Sequence, residues 1–312
     1  MENKEKNFAS SIIYVHNAEK RIEQFLGAII SIMEKNFEHS EIICVNDCSE
    51  DRSVELIKKC SEKATCTSVS VVNMSHFHGV ELAMDAGMDL SIGDFVFEFD
   101  NTVLDFDQDM VMKIYRHALE GFDIVSASPN KKAKLSSRFF YKAYEIFTDV
   151  SFAMTTESFR VLSRRVINRI SSMNKTIPYR KAVYANSGLK MDNLKYEIKN
   201  VANYRIDKKE SKYRSGLATS TLILFTDFGY SFAKGMTVLM MLMSIFMVLY
   251  AIVIFVIGSP VEGWTTTVLF LSVAFFGLFG ILTIIIKYLQ IIVNLVFKRK
   301  HYNYETIEKL TR

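Results

Sequence analysis

Only 3 prolines and 1 tryptophan occur in 312 residues, and glycine is held to 13. A chain so poor in proline and glycine is neither collagen-like nor a low-complexity disordered segment. Cysteine is scarce as well. Cys44, Cys48, Cys60 and Cys66 match no zinc spacing and read as free thiols. No GxGxxG fingerprint follows a strand, which disfavours a dinucleotide-binding domain. The net charge is only +4, and no basic helix is interleaved with aromatic residues, so no nucleic-acid partner is expected. Residues 1–7 are charged, without the apolar core of a signal peptide. The absence with the largest consequence is that of charge over two long stretches, Gly235 to Val261 and Gly263 to Ile286. Each exceeds the roughly 20 apolar residues that cross a bilayer. They are separated by little more than the turn Ser259-Pro260-Val261-Glu262-Gly263-Trp264.

That arrangement predicts a two-helix transmembrane hairpin, with spans at 234–258 and 264–290. Arg214 and Lys234 flank the first span, Lys287, Lys298, Arg299 and Lys300 the second, and the turn carries only Glu262. The excess of basic residues at the outer flanks places both termini in the cytosol, so the protein is expected as a multi-pass protein of the inner or cell membrane. Much of the positive excess lies between Lys190 and Lys234, which suits an anionic lipid surface. Residues 211–233 read as an interfacial amphipathic helix through Leu217, Leu222, Phe225, Phe228 and Phe232. Residues 291–312 read as a cytosolic tail.

Residues 1–210 carry a different pattern. Short apolar strands at 11–15, 41–45, 68–72 and 95–99 alternate with helical periodicity over about 18–35, 52–60 and 79–90. Strands alternating with helices predict an α/β fold with a mainly parallel sheet and right-handed crossovers. In such sheets ligands bind beyond the carboxyl ends of the strands. Two strand ends are acidic. The second runs into Asn46-Asp47-Cys48-Ser49-Glu50-Asp51, where Asp47 either meets a base or ribose or simply starts an Asx turn. The fourth, Phe95-Val96-Phe97-Glu98-Phe99-Asp100, sets Glu98 and Asp100 on one strand face. Two hard oxygen ligands so placed either hold Mg²⁺ or Mn²⁺ against a diphosphate or form an acidic surface.

The blocks Ser11-Ile12-Ile13-Tyr14-Val15-His16-Asn17, Val45 to Ser53 and Gly93-Asp94…Asp100 resemble the three N-terminal blocks of family 2 glycosyltransferases, which have the GT-A fold. Glu157 to Arg164 resembles that family's acidic-Phe-Arg-Leu block, and Glu210-Ser211-Lys212-Tyr213 its juxtamembrane block. Gly258 to Trp264 is similar to the outer turn of its polyprenyl-phosphate group, related to dolichol-phosphate mannose synthase and bactoprenol glucosyltransferases.

The resemblance implies a membrane-anchored, inverting transferase. It would move a sugar from a nucleotide-sugar to a polyprenyl phosphate on the cytosolic face, for cell-surface glycan synthesis or modification. It assigns nucleotide binding to Asp47, with Tyr14, which stands where the family usually has proline, and Asn17 at the nucleotide rim. It assigns Mg²⁺ or Mn²⁺ to Asp100, with Glu98 the substitute ligand, catalysis to Asp100 and the position of Ser158 with Glu157 beside it, and the acceptor phosphate to the loop of Ser137 and Arg138; Arg160, Arg205 and Lys212 are further basic candidates for that phosphate. The chain departs from the family pattern at the metal block, where Thr102 and Leu104 replace the usual residues, and at Ser158, where an aspartate is usual. Cation binding is therefore expected to be weak. The same losses admit a catalytically inactive relative serving as a binding or assembly subunit, and an active enzyme with a glycan acceptor is a further reading. Self-association into a homo-oligomer is left open.

Overall fold

In the computed structural model the described residues are 4–131, 157–172, 179–185, 187–198, 263–297 and 303–311. Lys142, residues 212–213 and 216–217 and isolated positions between 235 and 246 are described as well. The strands are β1 (Ala9–Val15), β2 (Ser40–Asn46), β3 (Thr67–Met74), β4 (Phe95–Phe99), β5 (Ile124–Pro129), β6 (Phe159–Ser163), β7 (Met191–Tyr196) and β8 (Tyr304–Lys309). The helices are α1 (Ile22–Asn36), α2 (Ser53–Ser61), α3 (Val80–Leu90), α4 (Asp109–Leu119), α5 (Arg164–Ser172), α6 (Arg180–Ala185) and α7 (Trp264–Phe297).

One sheet runs β7-β5-β6-β4-β1-β2-β3-β8. The inner strands β3, β2, β1 and β4 are mutually parallel, and β5 pairs parallel with β7. β6 is antiparallel to β4 and β5, and β8 is antiparallel to β3. The α/β sheet expected from the sequence is present, but it is mixed, with four parallel and three antiparallel pairings among the described residues, and the four expected strands lie within a few residues of their bounds.

Strand alternation divides the core in two. Ile13 and Val15 of β1 and Phe97 and Phe99 of β4 face a cluster with Phe25 and Ile29 of α1, Ile57 of α2 and Ile114 of α4. Ile12, Tyr14 and Val96 face the other side, with Val80 and Met84 of α3, Val166 of α5 and Tyr184 of α6. A buried parallel sheet between two helical layers needs strands that are apolar on both faces, and β1, buried at every position, is such a strand.

Two parts of the C-terminal region expected to meet a membrane fall differently from expectation. The helix over the second uncharged run is α7, a continuous 34 residues that extends past the expected end at 290. The expected tail then returns to the sheet. β8 covers the edge of β3, with Asn73 Nδ2 donating to Thr306 at 2.9 Å and Lys58 Nζ 2.5 Å from Glu308. An unpaired strand edge is a row of unmet backbone groups, so an edge strand is a physical use for a tail whose composition had suggested none. Among the described residues, no helix is long and apolar enough to cross a membrane. The expected hairpin is not seen as such, because the first run lies largely outside the described residues. Where it is described, Met236 and Met240 pack over Gly277 of α7, and a Cβ at 277 would meet the Met240 thioether.

Candidate functional site

The carboxyl ends of β1, β2, β3 and β4 lie side by side, because these four strands are parallel and in register. The acidic strand ends named above therefore meet at one edge of the sheet, where open α/β sheets bind ligands.

On the β1/β2 side, Asp47 is 0% exposed. Its carboxylate accepts from Tyr14 Oη at 3.0 Å, from the His78 backbone N–H at 2.8 Å and from the Gly79 N–H at 2.8 Å. His16 Nδ1 lies 2.7 Å from the Asp47 carbonyl oxygen. Asn17, in the left-handed region at φ 45°, receives the Glu50 N–H on Oδ1 and gives its own backbone N–H to Ser49 Oγ. Tyr14, Asn17 and Asp47 thus come together, with Asp47 ordering the loop at the start of α3 through its backbone. Gly79 is the one residue of that loop that must be glycine. Its φ is +84°, and the Tyr213 ring lies where a Cβ would be.

The β4 side is an ion cluster. Glu98 pairs directly across the β4/β6 ladder with Arg160, so their side chains share a face. Arg160 donates Nη1 to Glu98 Oε2 at 2.8 Å, Nη2 to Asp100 Oδ2 at 2.6 Å and Nε to Glu157 Oε2 at 3.1 Å. Arg180, at the start of α6, approaches from the opposite side. It donates Nη1 to Glu98 Oε1 at 2.6 Å, Nη2 to Asp100 Oδ1 at 2.7 Å and Nε to Glu81 Oε2 at 3.0 Å. Tyr184 Oη adds a bond to Glu98 Oε1 at 3.0 Å. All four carboxylate oxygens of Glu98 and Asp100 therefore accept from a guanidinium. The arginine side chains are 1% and 2% exposed, and Asp100, at 15%, is the opening to solvent.

Burial by itself raises a carboxyl pKa, yet Arg160, Arg180 and then Lys181 outweigh it and hold Asp100 well below the usual carboxylate range. Burial likewise opposes the charge of Arg160, but Asp100, Glu98 and Glu157 overcome it and push that guanidinium well above its ordinary value. Arg180 behaves in the same way, with Glu98, Glu81 and Asp100 outweighing burial. Burial and then the Glu98 charge push the Tyr184 phenol well up. Asp100, Arg160 and Arg180 thus keep their charges across the neutral range.

Glu157 and Ser158 turn to different partners, as neighbours in an extended segment do. Glu157 joins the cluster and lies 3.9 Å from Lys181 Nζ. Ser158 Oγ is 2.6 Å from Tyr196 Oη, which donates to Asp105 at 2.8 Å. Ser137, Arg138 and Arg205 lie outside the described residues. Lys212 is exposed and next in sequence to Tyr213 on Gly79. Among the described residues, no group of three or more His, Cys, Asp or Glu side chains could hold a metal. The expected cation at Asp100 and Glu98 does not fit this donor set, because the oxygens that would ligate it are already engaged by two buried arginines.

Sequence reasoning missed Arg180, Glu81 and Tyr184. Glu81 had a signal: it shares the apolar face of α3 with Met84 and Met88, and a buried acid there demands a partner. Arg180 had none, since its carboxylates lie 80 and 82 residues away.

Residues 10–171 match the family description "Glycosyl transferase family 2". An uncharacterised glycosyltransferase of Synechocystis is 26% identical over 182 residues, 56% of each chain. An undecaprenyl-phosphate 4-deoxy-4-formamido-L-arabinose transferase of Pseudomonas paraeruginosa is 27% identical over 121 residues, 39% of this chain and 35% of that one. The chain thus spans about half the length, or less, of these curated relatives. Among solved structures, glucosyl-3-phosphoglycerate synthase of Mycobacterium tuberculosis, in complex with Mn²⁺, UDP and phosphoglyceric acid, superposes with a TM-score of 0.51. It has 14% identity, with 70% of this chain and 78% of that one covered. At that identity the likeness shows a shared GT-A fold.

Proposed function

Since this chain belongs to glycosyltransferase family 2, we propose that it transfers a sugar from a nucleotide-sugar to a polyprenyl phosphate. The observation that carries the reading is the carboxyl edge of the sheet. There the Asp47 loop and the Asp100 cluster stand side by side, at the place where a nucleotide and its diphosphate would lie end to end. The relative named for an undecaprenyl-phosphate acceptor supports the lipid.

In the reaction a phosphate oxygen of the acceptor forms a bond to the anomeric carbon. The bond from that carbon to the donor diphosphate breaks, and the nucleoside diphosphate leaves with the electron pair, inverting the centre. An ionised phosphate needs positioning more than deprotonation. On this reading Tyr14, Asn17 and Asp47 shape the nucleotide side. Asp100 orients the guanidiniums at the diphosphate, Glu157 sits beside them, and Ser158 ties the edge to Tyr196. Lys212, with Ser137, Arg138 and Arg205, receives the lipid phosphate, and Arg160 stands between donor and acceptor. The test is transfer of label from a panel of nucleotide-sugars to polyprenyl phosphate by the purified full chain. Transfer from at least one donor is expected. No transfer and no donor hydrolysis across the panel would sink the reading in favour of a binding subunit.

The membrane placement belongs to the same proposal. The C-terminal helix α7 runs for 34 residues. Lys287 is its one charged residue, and Leu271, Phe275, Leu278, Leu282, Ile285 and Leu289 stand exposed along it. Exposed apolar surface on this scale calls for lipid or a partner. Only residues 298–303 separate α7 from β8, which keeps the end of α7 on the catalytic domain's side. A cysteine introduced by Glu262→Cys is expected to react with an impermeant thiol reagent in intact cells. Native Cys66, exposed in the catalytic domain, is expected to react only after permeabilisation. Labelling of Cys66 in intact cells would put the domain on the other side.

A further inference from the structure

Resting on the transfer reading above, we propose that the Arg160–Arg180 pair takes the place of a divalent cation at Asp100, so that this chain binds its nucleotide diphosphate without metal. The argument starts from ligand supply. A hard cation needs several open oxygens, and at Mg²⁺ or Mn²⁺ sites carboxylates provide them. Here each oxygen of Glu98 and Asp100 already accepts a charge-assisted hydrogen bond of 2.6 to 2.8 Å. The position two residues beyond Asp100 is Thr102, a buried hydroxyl and a poor hard-cation ligand.

Seating a cation would require pulling at least one guanidinium off its carboxylates. That arginine is buried, so it would be left as an unpaired charge next to an incoming like charge. Breaking a buried ion pair is among the costliest changes in a protein interior. The arrangement is also too regular to be incidental packing. Each guanidinium bridges Glu98 and Asp100 with its two terminal nitrogens and anchors its Nε on a third acid, Glu157 for Arg160 and Glu81 for Arg180. Three of the five donors of each are so committed among the described residues, and since both side chains are only 1–2% exposed, a phosphate would reach the remaining N–H groups through the opening at Asp100. Preorganised cations aimed at the leaving group supply the stabilisation that a metal would otherwise provide.

The experiment uses purified full chain. Nucleotide binding (UDP and GDP) is measured by calorimetry in excess EDTA and in Mn²⁺, and Mn²⁺ binding is followed by electron paramagnetic resonance with and without nucleotide. The expected result is the same nucleotide affinity in both buffers and no protein-bound Mn²⁺ signal. Arg180→Lys, which keeps the charge but cannot bridge, is expected to weaken nucleotide binding in EDTA by about tenfold or more. Nucleotide binding that appears only with Mn²⁺, or bound Mn²⁺ that Asp100→Asn removes, overturns this inference while leaving the transfer reading standing. Failure to bind any nucleotide in either buffer overturns both. The parent measurements decide the matter even where the lysine variant folds poorly.

Discussion

Arg160→Met should destabilise the protein by about 3–5 kcal/mol, the range for removing one partner of a buried ion pair. The methionine fills the volume but leaves Glu157 without its Nε donor and Glu98 and Asp100 each with one bare oxygen. The pH dependence is the more telling readout. In the parent, Asp100 is held below its unfolded value, so its contribution is fully present above the unfolded carboxyl pKa and is lost only as pH falls through the lower folded value. The stability that Asp100 contributes should therefore be flat from pH 5 to 8. In Arg160→Met the carboxylates that lost their cation repel one another and their folded pKa values rise. The variant should then gain stability as pH falls toward 5, because the folded state takes up protons that the unfolded state does not. Denaturant melts of parent and variant at pH 5 and 8 check both. A variant less stable at pH 5 than at pH 8 would show that Arg160 does not balance these charges.

Asp100→Asn should lower transfer by about 10²–10³-fold, the cost of losing one preorganised electrostatic contact at a leaving group. The substitution is isosteric, but an amide offers one acceptor oxygen where the carboxylate offers two. Both guanidiniums, Arg160 on Oδ2 and Arg180 on Oδ1, lose a charged partner, and one of them meets an NH₂ donor instead of an acceptor. The fold should persist, since Glu98, Glu81 and Glu157 still hold both arginines. The measurement is the initial rate with saturating donor, with circular dichroism to show the fold intact. Transfer at the parent's rate would mean that Asp100 has no part in the step.

Much of this molecule was readable before any coordinates, for reasons that are local. The alternation of short apolar strands with helical periodicity determined the α/β sheet, because strand and helix periods are properties of neighbouring residues. The second uncharged run determined a long apolar helix starting at 264, which the structure carries past the expected end at 290 to 297. The spacing of Glu98 and Asp100 determined that both face one way, since side chains two apart on a strand must.

What the acids meet on that face was decided only by the tertiary structure. Arg160 comes opposite Glu98 through an antiparallel strand that is 62 residues away in the chain, Arg180 through a short helix 82 away and Glu81 through α3. A carboxylate pair looks the same in sequence whether it will hold a cation or a guanidinium. Sequence carries the charge, and the identity of the counter-charge is fixed by which distant segments the sheet order brings alongside. β8 is a second case. The polar sequence Tyr304-Glu305-Thr306-Ile307-Glu308-Lys309 becomes a strand because β3 presents an open edge to it. Edge pairing is satisfied by backbone groups, which every sequence possesses, so nothing in the side chains announces it.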